Sequence, residues 1–187
     1  MQHILSGCSA LAQTKYLQRH NSAFKISFFE VVRSLHLITK VEPWFSQVIP
    51  KPLHENEHAT AFWDVTLYAD TTQVKANRID ATVIDKTSKQ VRVIEMSCPW
   101  LENRESKDFE KTTKYSQLRL ELTTRYSSEY KVNQYNIIMD VLGGCSKEVE
   151  KHIKELVGDK CESIMREMQK AILSSSLHIA RMFKLSA

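Results

Sequence analysis

The stretch IDATVIDKTSKQVRVIEMSCP, running from Ile79 to Pro99, decides how the rest of the chain is read. Two runs rich in Val, Ile and Thr flank the polar tetrapeptide Lys86-Thr87-Ser88-Lys89, which is the pattern of a β-hairpin. Pro99 closes the second strand, because it has no N–H to give to a ladder. Along the first strand Asp80, Thr82 and Ile84 share a face; along the second, Val91, Val93, Glu95 and Ser97 do. Hairpin pairing therefore brings Asp80 and Glu95 together near one end of the sheet, although 14 residues separate them. Glu95 lies between Ile94 and Met96, so this acid belongs to a buried strand, where an unpartnered carboxylate is costly. A divalent cation would offset that cost, and two acids with a strand carbonyl are hard oxygen ligands suited to Mg²⁺. The other reading of the pair is an ion pair or a turn acid. Arg78, two residues before Asp80 on the same face, is the obvious partner for it.

Outward from the hairpin, residues 60–70 have the same period of two. The preceding segment, 41–56, holds Pro43, Pro50 and Pro52 and reads as an irregular connection. Before it, Asn21 or Ser22 can cap a helix whose apolar positions Phe24, Phe28, Val31, Leu35 and Ile38 recur at helical spacing, ending near Lys40. Downstream, 104–127 carries a helical stripe of Lys111, Tyr115, Leu118, Leu122 and Tyr126. A strand is expected over Val132–Leu142, stopped by Gly143-Gly144. Ser146 opens a short helix that ends at Gly158, and Asp159 with Glu162 forms a capping box for a last helix to about Phe183. The expected architecture is α/β: an αβββαβ core with a four-stranded mixed sheet flanked by helices, over 21–144. A C-terminal helical extension, 145–187, packs on it, and 1–20 carries no clear pattern.

At 187 residues the chain makes one domain with helical additions. Its composition, 42% hydrophobic and 26% charged, is that of a folded rather than a disordered chain. No stretch approaches about 18 uninterrupted apolar residues, so no membrane span is expected. The start lacks a basic and then apolar leader pattern, so the expectation is a nuclear or cytoplasmic protein, not a secreted one. The scattered Cys8, Cys98, Cys145 and Cys161 then read as reduced thiols. A net charge of +4 allows a polyanionic partner without requiring one.

Paired carboxylates on a sheet edge suit phosphodiester hydrolysis, in which a metal polarises the phosphate and activates a water. Such a site usually adds a lysine, two residues after the second acid on the same face. That position is Ser97. Lys114, with Lys111 as second choice, can substitute from the following helix by running its methylene stem over the sheet. The competing reading is that both are solvated helix lysines.

Longer strings sharpen these alternatives. Phe62-Trp63-Asp64, Ala76-Asn77-Arg78-Ile79-Asp80, Ile94-Glu95-Met96-Ser97-Cys98-Pro99-Trp100, Glu110-Lys111-Thr112-Thr113-Lys114-Tyr115 and Asn136-Ile137-Ile138-Met139-Asp140-Val141-Leu142-Gly143-Gly144 together resemble the restriction-like, PD-(D/E)XK endonuclease domain of non-LTR retrotransposon polyproteins. The resemblance covers roughly residues 3–184. It departs from the usual Arg-Pro-Asp at Ile79, where the proline itself binds nothing. It implies a nuclease that nicks DNA with Mg²⁺ or Mn²⁺, with Asp80 and Glu95 as metal ligands, Lys114 as catalytic lysine and Tyr115 in support. Asp64 is a candidate third metal ligand or a structural acceptor, and Glu30 a weaker third acid. Arg78, Arg104, Lys107, Lys111 and Lys75 are the expected phosphate contacts. Trp63 and Trp100 are expected to pack in the core or its rim. The implied partners are DNA and a reverse transcriptase module or element RNA. His3 and Cys8 match the second half of a zinc knuckle that precedes this domain in the family. They make 1–20 a remnant of a knuckle and linker, able to hold zinc only with an upstream Cys pair. Arg19-His20-Asn21 also matches a family string, without an assigned chemistry. The alternative is a decayed or repurposed copy that keeps the fold and binds DNA without cutting it.

Overall fold

The computed structural model describes residues 1–68, 74, 76–126 and 129–184. Lys75 lies outside them, as do the far ends of the expected strand 60–70 and helix 104–127. The chain opens with short helical turns over His3–Gly7, Ser9–Leu11 (α1) and Ala12–Tyr16, then forms α2 over Leu17–Ser34. Strands β1 (Leu53–Glu55), β2 (Ala59–Trp63), β3 (Ala81–Asp85) and β4 (Gln90–Ser97) follow. Helices α3 (Arg104–Lys114) and α4 (Ser116–Arg125) lead to β5 (Lys131–Ile138), and α5 (Lys147–Val157) and α6 (Cys161–Lys184) complete the fold.

The sheet has five strands in sequential order. β1 to β4 are antiparallel neighbours, and β5 pairs parallel to β4, with α3 and α4 as the crossover that a parallel pair needs. The expected sheet had four strands. The missing one, β1, is a three-residue edge strand directly after Pro50 and Pro52, with Leu53 exposed, so neither alternation nor burial marks it in the sequence.

The strands bury both faces. Ala81, Val83, Ile94, Met96 and Ile137 pack under α2, α5 and α6, meeting Phe24, Phe28, Ile153, Met168 and Ile172 in the main core. Trp63 belongs to this layer: its ring stacks on Phe24 at 4.8 Å and meets Phe28 edge-on at 5.0 Å. The opposite face presents Ile84, Val91 and Val93 to Tyr115, Leu118 and Leu122. Trp100 lies at the rim with Leu5, Val141 and Ile179. The 86–89 loop is closed by Asp85, whose carboxylate accepts from the N–H groups of Thr87 and Ser88, while Lys89 takes a left-handed φ of 51°.

Four helix boundaries differ from expectation. α2 starts at Leu17, so Asn21 and Ser22 are interior residues rather than caps, and it stops at Ser34, before the left-handed His36. The expected helix 104–127 breaks at Tyr115, where φ −99° and ψ 10° end one helix and start another. α6 begins at Cys161, after a 3₁₀ turn over Gly158–Lys160. The cap at Ser146 forms as expected: its hydroxyl accepts from the N–H of Val149. Gly158 ends α5 at φ 61°, ψ −132°, a backbone region essentially closed to residues with a Cβ, and a Cβ there would meet nothing within 4 Å. Gly158→Ala should therefore destabilise through the backbone alone, by about 1–3 kcal/mol. Thermal denaturation should show a midpoint lowered by a few degrees or more with an unchanged far-UV spectrum.

Candidate active site

Antiparallel pairing of Ala81 with Ile94 sets Asp80 beside Glu95 where β3 and β4 meet the helices. The two residues clamp each other through backbone N–H groups. Asp80 N–H donates to Glu95 Oε2 at 3.3 Å, and Met96 N–H donates to Asp80 Oδ2 at 2.7 Å. Glu95 is 3% exposed, and both acids line one cavity of about 310 Å³ whose other wall is the start of α2. Asp64 N–H binds the Asp80 carbonyl at 2.8 Å, continuing the pairing past the end of β2.

Each carboxylate has its own cation. His20 on α2 places Nε2 3.0 Å from Asp80 Oδ2, and its Nδ1 lies 2.8 Å from Asn21 Oδ1. The Asp80 carboxylate takes a proton from Nε2, and the Asn21 amide can serve Nδ1 as acceptor or donor. Burial alone would lower the His20 pKa, but the Asp80 charge and hydrogen bond, with help from Asn21, raise it to about 9. Burial also pushes Asp80 upward, yet His20, the Met96 N–H and Lys111 overcome it and hold the carboxyl below its ordinary range. Glu95 goes the other way: burial and the negative charge of Asp80 outweigh Lys111 and raise it. This opposition is what two acids confined to one small cavity should show.

Lys111 donates to Glu95 Oε1 at 2.5 Å. The lysine amine bonded to the carboxylates is that of Lys111, the second choice of the sequence, while Lys114, the first, reaches the neighbouring Tyr115 hydroxyl. Lys114 is one residue short of a full turn further along α3, and its amine meets the Tyr115 hydroxyl at 2.9 Å. Tyr115 is 1% exposed, and its hydroxyl donates to the Arg78 carbonyl at 3.0 Å. Burial first, then the nearby charges of Glu95 and Asp80, push the Tyr115 phenol well above its usual range, so it stays protonated as a donor.

The position of Lys111 is set by polar bonds, because α3 has no buried residue. Asn136 on β5, opposite Glu95 in register, donates to Asp108 Oδ1 and Thr112 Oγ1, each at 2.8 Å. Gln134 donates to the Lys111 carbonyl at 3.1 Å. The β4–β5 end of the sheet is therefore polar on this face and docks a polar helix.

Other expected site residues lie elsewhere. Asp64 takes a bidentate grip from Arg78, at 2.7 and 2.6 Å, with its side chain 46% exposed. It behaves as a structural acceptor, and Arg78 pairs with it rather than with Asp80. Glu30 is held by Arg33 within α2. Arg104 faces the buried Asp140 and Lys107 faces Glu110. Each of the four described basic residues expected to meet phosphates thus has a carboxylate partner. His3 and Cys8 sit in the opening turns, where the Tyr16 hydroxyl binds the carbonyls of His3 and Ile4 and accepts from the Cys8 N–H. Among the described residues no group of three or more His, Cys, Asp or Glu is arranged to hold a metal ion. His20 is the site residue that sequence reading missed. Its only signal was the Arg19-His20-Asn21 string, since its partner Asp80 lies 60 residues away. Neighbouring Arg19 is 1% exposed, donating to Ser176 Oγ at 3.2 Å and to the Cys98 carbonyl, with its Nε unpartnered. No protein-family model matches the chain, and no curated protein matches it.

The ion pairs make two expectations. Lys111→Met leaves Glu95 buried beside Asp80 without its cation and should cost about 3 kcal/mol or more, whereas exposed Lys114→Met should cost under about 1 kcal/mol. Chemical denaturation of both variants checks this ordering. In chelator, the contribution of the His20 interaction is complete below its ordinary 6.5 and is lost as pH rises through about 9. The midpoint of thermal unfolding should fall over that window in wild type and fall less in His20→Asn.

Proposed function

We propose that the chain is a metal-dependent DNA endonuclease of the PD-(D/E)XK kind, derived from a retrotransposon, with Asp80 and Glu95 as its metal ligands. One observation carries the reading. Two acids on adjoining strands share a cavity, repel one another, and have a lysine amine within reach. Two carboxylates suit Mg²⁺ or Mn²⁺, because Mg²⁺ commonly binds through one or two carboxylates and keeps several waters. The bound ion would polarise the scissile phosphate and lower the pKa of an attacking water.

The chain's own residues then have separable tasks. Asp80 is held rigidly by the Met96 N–H, and Glu95 by the Asp80 N–H, so the acids keep their spacing without help from a ligand. Lys111, now bonded to Glu95, would be free to turn to a phosphate oxygen if that carboxylate held a metal ion, and its charge would there offset the negative charge growing on the phosphate. Tyr115 fixes the Arg78 backbone just before Asp80, with Lys114 behind its hydroxyl. On this reading the partner is DNA, met alongside a reverse transcriptase module and element RNA in the nucleus.

A second reading, a repurposed domain that keeps the fold and no longer cuts, draws on one specific observation. His20 and Lys111 already neutralise both acids, so the cluster can persist as a purely structural quartet. Nicking of supercoiled plasmid with Mg²⁺ or Mn²⁺ separates the two. The nuclease reading expects wild type to nick, Asp80→Ala and Glu95→Ala to abolish it, and Lys111→Ala to slow it by about 10²-fold or more. Lys114→Ala should lose less than Lys111→Ala. A folded wild type that fails to nick with either metal would leave the repurposed reading standing.

A further inference from the structure

The four described basic residues first expected to meet phosphate are tied to carboxylates, yet another part of the sequence carries positive charge with no acid at all. Residues 1–29 and 168–187 contain six of the 26 Lys and Arg and none of the 22 Asp and Glu, which leaves the remainder with two more acids than bases. These stretches are far apart in sequence, but the fold packs α2 against α6 through Phe24, Phe28, Ala171 and Ile172, with Arg19 bonded to Ser176 across the junction.

A cleft of about 310 Å³ opens along that junction, on the flank of α2 that carries Gln18 and Ser22. It is distinct from the carboxylate cavity, which takes Leu17, Arg19 and His20 from the same helix. No carboxylate lines it. Its basic side chains are Lys15 and His178, and hydroxyls come from Ser22, Ser46, Ser174 and Ser175. The third wall is the 44–47 loop, where Trp44 and Phe45 meet edge-on at 5.7 Å and Phe45 is 66% exposed. The loop is held in shape from beneath. Lys25, 8% exposed, donates to the carbonyls of Ser46 and Val48, and the Ser46 hydroxyl accepts from the Val48 N–H.

We propose that this cleft binds a single-stranded nucleic acid segment. A preformed, acid-free groove with the Lys15 ammonium on one wall and the His178 ring on the other tracks a phosphate backbone, and an exposed aromatic ring offers a stacking surface to an unpaired base. A duplex keeps its base faces covered and so leaves Phe45 without a role. The cleft and the carboxylate cavity flank one helix, so a strand held in the first lies close to the second. The binding itself does not depend on the hydrolytic reading of Asp80 and Glu95.

Fluorescence anisotropy with labelled oligo(dT) and oligo(rU), run on the full chain in EDTA so that no cutting occurs, tests it. Wild type should bind at least one of them, and the two arms tell whether the strand is DNA or RNA. Phe45→Ala should weaken binding about 5-fold or more with an unaltered salt slope. Lys15→Gln should reduce the slope of log K against log salt by about 0.7. Lys151→Ala, on the exposed face of α5, is the control and should match wild type. Binding that survives both cleft substitutions unchanged overturns the proposal. So does a chain that ignores both oligonucleotides but binds phosphatidylcholine–phosphatidylserine vesicles. Absent nicking with intact, Phe45-dependent binding would remove the nuclease reading and leave this one.

Discussion

Two carboxylates confined to one end of a hairpin are the constraint on which the rest of this structure depends. Asp80 and Glu95 repel each other in a cavity where water cannot fully screen them, and the surroundings answer with four compensations. Two are backbone N–H groups that come free with strand pairing. The other two are side-chain cations, His20 from α2 and Lys111 from α3, reaching in from opposite layers of the sheet. Neither helix could shift by a turn without stranding an acid, so this polar cluster fixes the register of both layers more sharply than the apolar core does. Apolar contacts can be repacked at modest cost, whereas an unpaired buried charge cannot.

The same constraint explains why α3 is unlike the other helices. It brings no buried apolar residue to the sheet, and its amphipathic face is met by Asn136, Gln134 and Glu95. The helix then breaks at Tyr115, whose ring enters the second core while its hydroxyl reaches the strand entering Asp80. α4 takes over the apolar packing with Leu118 and Leu122. One segment is thereby divided between chemistry and packing. A continuous 104–127 helix would have had to carry both on one face.

How much of this was legible in the sequence follows from whether a feature is local. The hairpin, its Asp80–Glu95 pairing, the Ser146 cap and the stop at Gly158 are written in adjacent residues with definite backbone preferences, and all four appear as read. β1 was hidden because three exposed or half-buried residues after two prolines carry no periodic signal. The start of α2 was misplaced because Asn21 looks like a cap, while its side chain serves the His20 ring. The choice between Lys111 and Lys114 turned on which face of α3 meets the sheet. That face is held by Asn136 and Gln134, whose polarity inside a strand was itself the available clue. His20 was invisible for the same reason as any long-range partner: nothing near it in sequence needs a cation.

Charge is distributed so that α2 serves two unlike surfaces. On one flank its His20 neutralises a buried acid; on the other, Gln18 and Ser22 border a cleft without acids. With a net charge of only +4, acids spread evenly along the chain would leave a polyanion no preferred face. No Asp or Glu stands in residues 1–29 or 168–187, and the remainder of the chain holds two more acids than bases. That asymmetry is independent of what the carboxylates do.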